Sequence, residues 1–295
     1  MSFERVSIST IVLLLLTAAN AYPQNSGSST EQNVAPQRQS PPQEPKVLED
    51  GGFSIEPLYW LNHAQPAMKG GAAATTYENQ NFSGNANPAL GGELSVPTGN
   101  SNTLRASYFR VLGNANATET QTITFFSQTY SPGDYVTQHY NLQSAKISWD
   151  YLSYTWRKQP GNIHFKTLYE LQYTNVSANF AAPFKSITTD SSGNTNDNTA
   201  SGSRHVLLPT FGGELEQSLG GKARWEIKGS GFGIPHHGVI WDAQADVALR
   251  LHNFELIAGE KAYHFKTSPQ AEQYFTDTLD GVFAGIRYYL PNTNK

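Results

Sequence analysis

Two stretches of this sequence carry side chains that could do chemistry. "GIPHHGVIWD" brings His236, His237 and Asp242 close in the chain, and "AGEKAYHFKTS" brings Glu260, Lys261 and His264. Two imidazoles and a carboxylate can hold a divalent ion or relay protons in a hydrolytic step. Such a centre requires the groups to share one face of converging elements. The spacing works against that, because Glu260 and Lys261 face opposite ways in any regular strand unless a bulge intervenes. The plainer expectation is that His236 and His237 form a polar turn between two strands, with His264 on a neighbouring strand. On that reading the sequence assigns no catalytic residue, no metal and no cofactor.

The elements that must position these groups are written in alternation. In "GVIWDAQADVALRLH", Asp242, Gln244, Asp246 and Arg250 share one parity, while Trp241, Ala243, Ala245, Val247, Leu249 and Leu251 share the other. A helix would scatter the polar groups around its circumference, whereas a strand puts them on one face. The same period of two runs through "NIHFKTLYELQYTNV", "AKISWDYLSYTW" and "KARWEIKGSGF". The polar set predicted to share an inward face is Glu56, Arg105, Lys146, Asp150, Lys166, Glu170, Glu214, Glu216, Arg224, Glu226, Lys228, Asp242, Asp246, Arg250 and Arg287. Both signs occur in near balance, so pairing across a narrow interior is the most economical use of them.

Composition narrows the setting. Charged residues are 15% of the 295 positions and aromatics 12%, which suits strands and turns better than helices. A net charge of −4 excludes a generally basic nucleic-acid surface. Cysteine is absent, so disulfides and thiolate metal sites are excluded. The start, with Arg5, the apolar run "VSISTIVLLLLTAA" and Ala19-Asn20-Ala21, has the pattern of a secretory signal peptide over 1–21. Residues 22–50, rich in Pro, Gln and Ser, are expected to be a disordered spacer, and 51–295 the folded domain.

Strands are predicted near 52–62, 88–97, 102–113, 139–157, 162–180, 204–219, 222–234, 238–252, 254–267 and 279–290. Tight joins such as "TGNS", "RKQPG", "GG" and "HN" alternate with long polar segments at 63–87, 114–138, 181–203 and 268–278. That alternation fits an antiparallel up-and-down transmembrane β-barrel of about ten strands, with its long loops outside. Eight or twelve strands stay open, because "TQTITFFSQTY" could form an extra hairpin and 88–97 is weakly patterned. The last strand, "DTLDGVFAGIRYYLPNTNK", alternates Val282, Ala284, Ile286, Tyr288 and Leu290 against a face carrying Arg287. It suits a closing strand with an apolar outer face and a polar inner one.

From these strands onward the chain resembles the bacterial outer-membrane β-barrel proteins, over about 240 residues. The resemblance implies location in the outer membrane, contact with its lipid and insertion by the barrel-assembly machinery. Members commonly end on an aromatic residue in the last strand. Here Tyr288-Tyr289-Leu290 is followed by "PNTNK". Barrel proteases of this kind need an Asp-Asp pair beside an Asp-His dyad, and lipid A deacylases a His-x-Ser. Neither motif occurs in this sequence. The expected function is therefore structural or weakly permeable, narrow and porin-like, as a monomer with polar outer loops, no nucleic-acid partner and an unnamed surface ligand. The alternatives are an outer-membrane hydrolase, protease or lipid-modifying, using the rim histidines and acids, and a secreted β-sandwich.

Overall fold

The computed structural model describes residues 52–75, 79–82, 84–99, 102–159, 161–189, 193, 195–196 and 198–290. The predicted signal peptide, the spacer and the tail 291–295 lie outside the described residues.

Ten strands form the wall: β1 (Ser54–Asn62), β2 (Ala89–Pro97), β3 (Thr103–Thr118), β4 (Tyr135–Trp156), β5 (Ile163–Ala181), β6 (Thr199–Leu219), β7 (Ala223–Ile234), β8 (Gly238–Leu251), β9 (Phe254–Lys266) and β10 (Gln273–Tyr289). Each pairs antiparallel with the next, and β1 pairs with β10 to close the sheet. Closure leaves no edge along the barrel. The closing seam is tight, since a Cβ at Gly281 would run into the carbonyl of Leu61. Beside it, Trp60 Nε1 donates to the Gly281 carbonyl at 3.1 Å.

The strands are staggered. Following cross-strand partners from Val96 through Leu104, Trp149, Tyr169, Phe211, Gly231, Trp241 and His264 leads to Thr278. Phe53, which would continue the row on the other side, instead bonds Leu290, twelve positions further along than Thr278 (290 minus 278). A stagger of that size goes with strands tilted by about 40°. The outward positions form an apolar belt. On β8 it runs from Leu251 to Trp241 and on β5 from Phe165 to Tyr173. Ten tilted residues rise about 25 Å, the height of a membrane barrel's apolar band. Tyr154, Trp156, Phe254 and Tyr288 mark its edge on the tight-turn side, and Tyr173 and Trp241 the opposite edge.

The strand count is ten, and "TQTITFFSQTY" is outside the wall: Ile123–Phe125 and Gln128–Tyr130 make a separate hairpin. Four strands reach beyond their predicted outer ends, β3 to Thr118, β4 from Tyr135, β6 from Thr199 and β10 from Gln273. Above the belt the outer face turns polar, as at Asn114, Asn116 and Thr118 on β3, so apolar alternation disappears while backbone pairing continues. The 63–87 segment, expected as a loop, adds Ala67–Gly70 beside β10, Asn79–Asn81 beside that strand, and Gly84–Ala86 beside β3. It extends the wall above β1 and β2, which stop at the belt.

Candidate functional site

The functional question is what fills the lumen. On the tight-turn side, inward positions of all ten strands except β2 and β9 contribute charges from the predicted set, and they interlock. Arg105 on β3 lies 2.8 Å from Asp150, 3.2 Å from Glu214, 3.4 Å from Glu226 and 3.7 Å from Glu93. Lys166 on β5, 1% exposed, reaches Glu214 at 3.1 Å and Glu216 at 2.9 Å. Arg287 on β10 meets Glu56 at 2.7 Å and Glu255 at 3.6 Å, and Arg224 on β7 meets Glu255 at 3.2 Å. Lys228 pairs with Glu226 at 2.8 Å. A buried ion is costly unless it is paired, and this mesh shares each cation among several carboxylates; Asp150 Oδ2, Glu214 Oε2 and Glu226 Oε2 are held by ion pairs alone.

One layer higher, Lys146 on β4 joins Asp242 at 2.7 Å and Glu170 at 3.1 Å. Ser230 donates to Asp242 at 3.0 Å and also to Glu170, which accepts from Thr210 at 2.8 Å. Asp246 accepts from Gln244 at 2.8 Å. Arg250 stands apart from the mesh, at the tight-turn mouth, over the Tyr289 ring and donating to the His252 carbonyl at 3.3 Å.

Glu93, Glu255 and Lys261 belong to this lumen and are absent from the predicted set. In "ALGGELSVP" the glycines blur the parity of Glu93. On β9 the inward face also holds Ile257, Tyr263 and Phe265, so both faces read as apolar and the parity of Glu255 and Lys261 was illegible. Lys261 lies against the Trp60 and Phe109 rings. Small voids lie between the layers. One of about 30 Å³ is lined by Glu56, Glu93, Lys228, Gln244, Lys261 and Arg287, and one of about 20 Å³ by Lys146, Lys228, Asp242 and Lys261 among others. Each has room for one or two waters.

The outer half of the lumen is mostly aromatic and aliphatic, with a few buried polar groups such as Gln138, Gln273 and Asp277, and lies beyond the polar set read from the sequence. Phe109 stands edge-on to Trp60 and Tyr263, at 5.4 and 5.1 Å between ring centres. The Tyr263 hydroxyl, bonded with Ser144 and Thr174, is the last polar contact below this layer. Above it Phe82 packs on Tyr140, Phe180 and Phe275, and Phe125 stacks on Phe180 at 4.6 Å. Phe82, Phe125 and the buried Met68 come from segments predicted as polar loops. Those segments are polar on average, and their few large apolar residues turn inward as a cap.

The rim histidines do not converge on an acid. His236 and His237 occupy the β7–β8 turn, with His236 at φ +67° and its carbonyl accepting from Ser268 at 2.7 Å. His264 faces outward, stacked on Trp241 and 2.8 Å from the Thr278 hydroxyl. Asp242 faces the lumen, held by Lys146. Lys261 faces inward and Glu260 outward, in an unbroken register. Among the described residues one carboxylate cluster, Glu214, Glu216 and Glu226, has the spacing of a metal site. Lys166, Arg105 and Arg224 already occupy it, so the donor set fits an ion-pair mesh better than a metal.

Above the belt, beneath the cap, lies Asp277. Its Oδ1 accepts the Gln65 amide at 3.4 Å and the Thr278 amide at 2.7 Å, and Oδ2 has no hydrogen bond. Burial pushes its carboxyl up to about 7, against the pull of those amides. Glu119, in the turn after β3, is likewise raised by burial and by Asp134.

No family model matches the chain, and no curated protein matches it. Solved structures that it resembles include the outer membrane protease OmpT from Escherichia coli, at 7% identity and a TM-score of 0.45, covering 81% of this chain and 97% of that one. Ail, the attachment invasion locus protein of Yersinia pestis, aligns at 10% identity and a TM-score of 0.33, covering 80% and 99%. The P. putida toluene transporter TodX aligns at 9% and 0.31, covering 82% and 91%. Nothing about activity passes from these proteins to this chain.

Proposed function

We propose that this chain is an integral barrel of the bacterial outer membrane with a structural rather than a catalytic or conducting role, its capped outer end free for surface contacts. The observation that carries this reading is the filled lumen, charged and interlocked on one side and aromatic on the other, with voids of about 20 to 30 Å³ between. The closed sheet and its apolar belt support the membrane placement. The separation of His236, His237, His264 and Asp242 argues against a hydrolytic centre at the rim. Phe184, 84% exposed, and Ile187, 60% exposed, stand on the 182–198 segment as candidate contact points for a partner. The test is planar-bilayer recording of the purified protein, with no stepwise conductance expected. Removing the 120–131 hairpin alone should leave the bilayer silent too, because the ion-pair layer remains. Steady conductance by the wild type would overturn the closed-lumen reading, and a folded protein soluble without detergent would overturn the membrane placement.

A further inference from the structure

Above the belt, the outward face of β3 to β6 is a lattice of neutral polar side chains. Cross-strand pairing sets them in rows: Arg110, Gln143, Asn175 and His205 stand side by side, and two rows higher so do Asn114, His139, Asn179 and Ser201. Across 110–116, 137–143, 175–181 and 199–205, every outward residue is a carboxamide, a hydroxyl or an imidazole apart from Arg110, Leu112 and Ala181, and none is a carboxylate. Five of these residues are asparagine, which strands disfavour, so strand formation does not account for the choice. Wetting does not account for it either, since surfaces stay soluble with charges of both signs, as β9 and β10 do with Lys266 and Asp280. Arg110 is exposed at the edge of the belt, between Tyr108 and Leu112, and its Nε donates to Asn141 Oδ1 at 2.7 Å. Among the described residues no carboxylate pairs with it.

We infer that this face binds the sugar headgroup of a phosphorylated glycolipid held in the leaflet beside it, with Arg110 against the phosphate. Neighbouring strands lie about 4.8 Å apart and alternate residues of one strand about 6.8 Å apart, so one sugar ring meets more than one of these groups. Each carboxamide both donates and accepts, which matches the hydroxyls of a saccharide. The absence of carboxylates leaves nothing to repel an anion, and an arginine fork suits a phosphate. The lattice runs into the belt without a break, which favours a lipid over a soluble glycan. Tyr108, Tyr173 and Leu207 form the next row below Arg110, Asn175 and His205, and the Tyr173 and His205 rings are 6.1 Å apart. A ligand whose sugars lie on the lattice lays its acyl chains along those apolar side chains. The inference rests on the membrane placement proposed above.

The chain has no cysteine, so one introduced thiol reports cleanly. Leu112→Cys places it in the lattice, and Thr278→Cys places it above the belt on β10, across the barrel. In vesicles of phosphatidylethanolamine and phosphatidylglycerol, added lipopolysaccharide should slow maleimide labelling at position 112 and leave position 278 unchanged. In the Leu112→Cys background, Arg110→Gln, and separately Asn141→Asp with Asn175→Asp, should each raise the lipopolysaccharide content needed for half-protection. The expected rise is about 3- to 30-fold, the range between an exposed ion pair and a charge-assisted hydrogen bond. Equal slowing at both positions, no slowing at position 112, or protection unchanged by these substitutions would overturn the site. Equal protection by the de-acylated oligosaccharide would put a soluble glycan in place of the glycolipid and overturn the inference too. Failure of the wild type to insert into vesicles without lipopolysaccharide would instead sink the membrane placement.

Discussion

Arg105 shows what a single residue does in a filled lumen. Its guanidinium is shared among four carboxylates, so Arg105→Met leaves Asp150, Glu214 and Glu226 buried with less compensation. The expected cost is about 3–5 kcal/mol, the range for breaking a buried ion pair, measured by urea unfolding from lipid vesicles. An unchanged midpoint would mean that water screens the mesh. Asp277 gives a prediction of opposite character. Its carboxyl titrates near 7 in the folded protein and near the usual carboxylate range when unfolded. A raised value means that the native state holds the proton longer, so its stabilisation is full at low pH and is lost as pH rises through about 7. Hydrogen exchange at Gln65 and its neighbours should therefore quicken between about pH 6 and 8 in the wild type, beyond the ordinary base-catalysed rise. Asp277→Asn should remove that extra acceleration.

At the scale of elements, β8 tests the depth of the belt. Val247 faces outward between Ala245 and Leu249, so Val247→Arg should cost about 2–4 kcal/mol if it sits near mid-bilayer. Asn175 on β5 has the same outward parity but stands above Tyr173, past the apolar positions. Asn175→Arg should change stability by less than about 1 kcal/mol, since the penalty fades toward the interface. Equal costs would misplace the belt. The cap obeys a different rule from the wall. Met68, Phe82 and Phe125 are held by side-chain packing, not by a continuous ladder, and Phe82→Ala should loosen the cap by about 3–5 kcal/mol while leaving belt strands protected in hydrogen exchange.

For the whole molecule, closure makes every strand depend on its neighbours, and the β1–β10 seam joins the two ends of the wall. The purified protein should stay compact in SDS at room temperature and shift its gel mobility on boiling. Gly281→Val should abolish that SDS-resistant form, because a side chain there collides with the Leu61 carbonyl and opens the seam. A heat-modifiable Gly281→Val barrel would show that closure tolerates a rearranged register.

Alternation in the sequence determined the strands, their faces and their number to within the stated alternatives, since a strand with an apolar surrounding on one side and a polar lumen on the other carries a period of two that a helix does not imitate. Parity alone put Lys146 and Asp242 on inward faces. It could not say that they meet, because pairing across the lumen depends on the stagger of strands far apart in sequence. Where both faces are apolar, as around Lys261, or both are polar, as above Leu112 on β3, the period vanishes and sequence falls silent. The aromatic cap is of that kind: Phe82 and Phe125 are single apolar residues in polar segments, and only the folded barrel supplies the surface that gathers them.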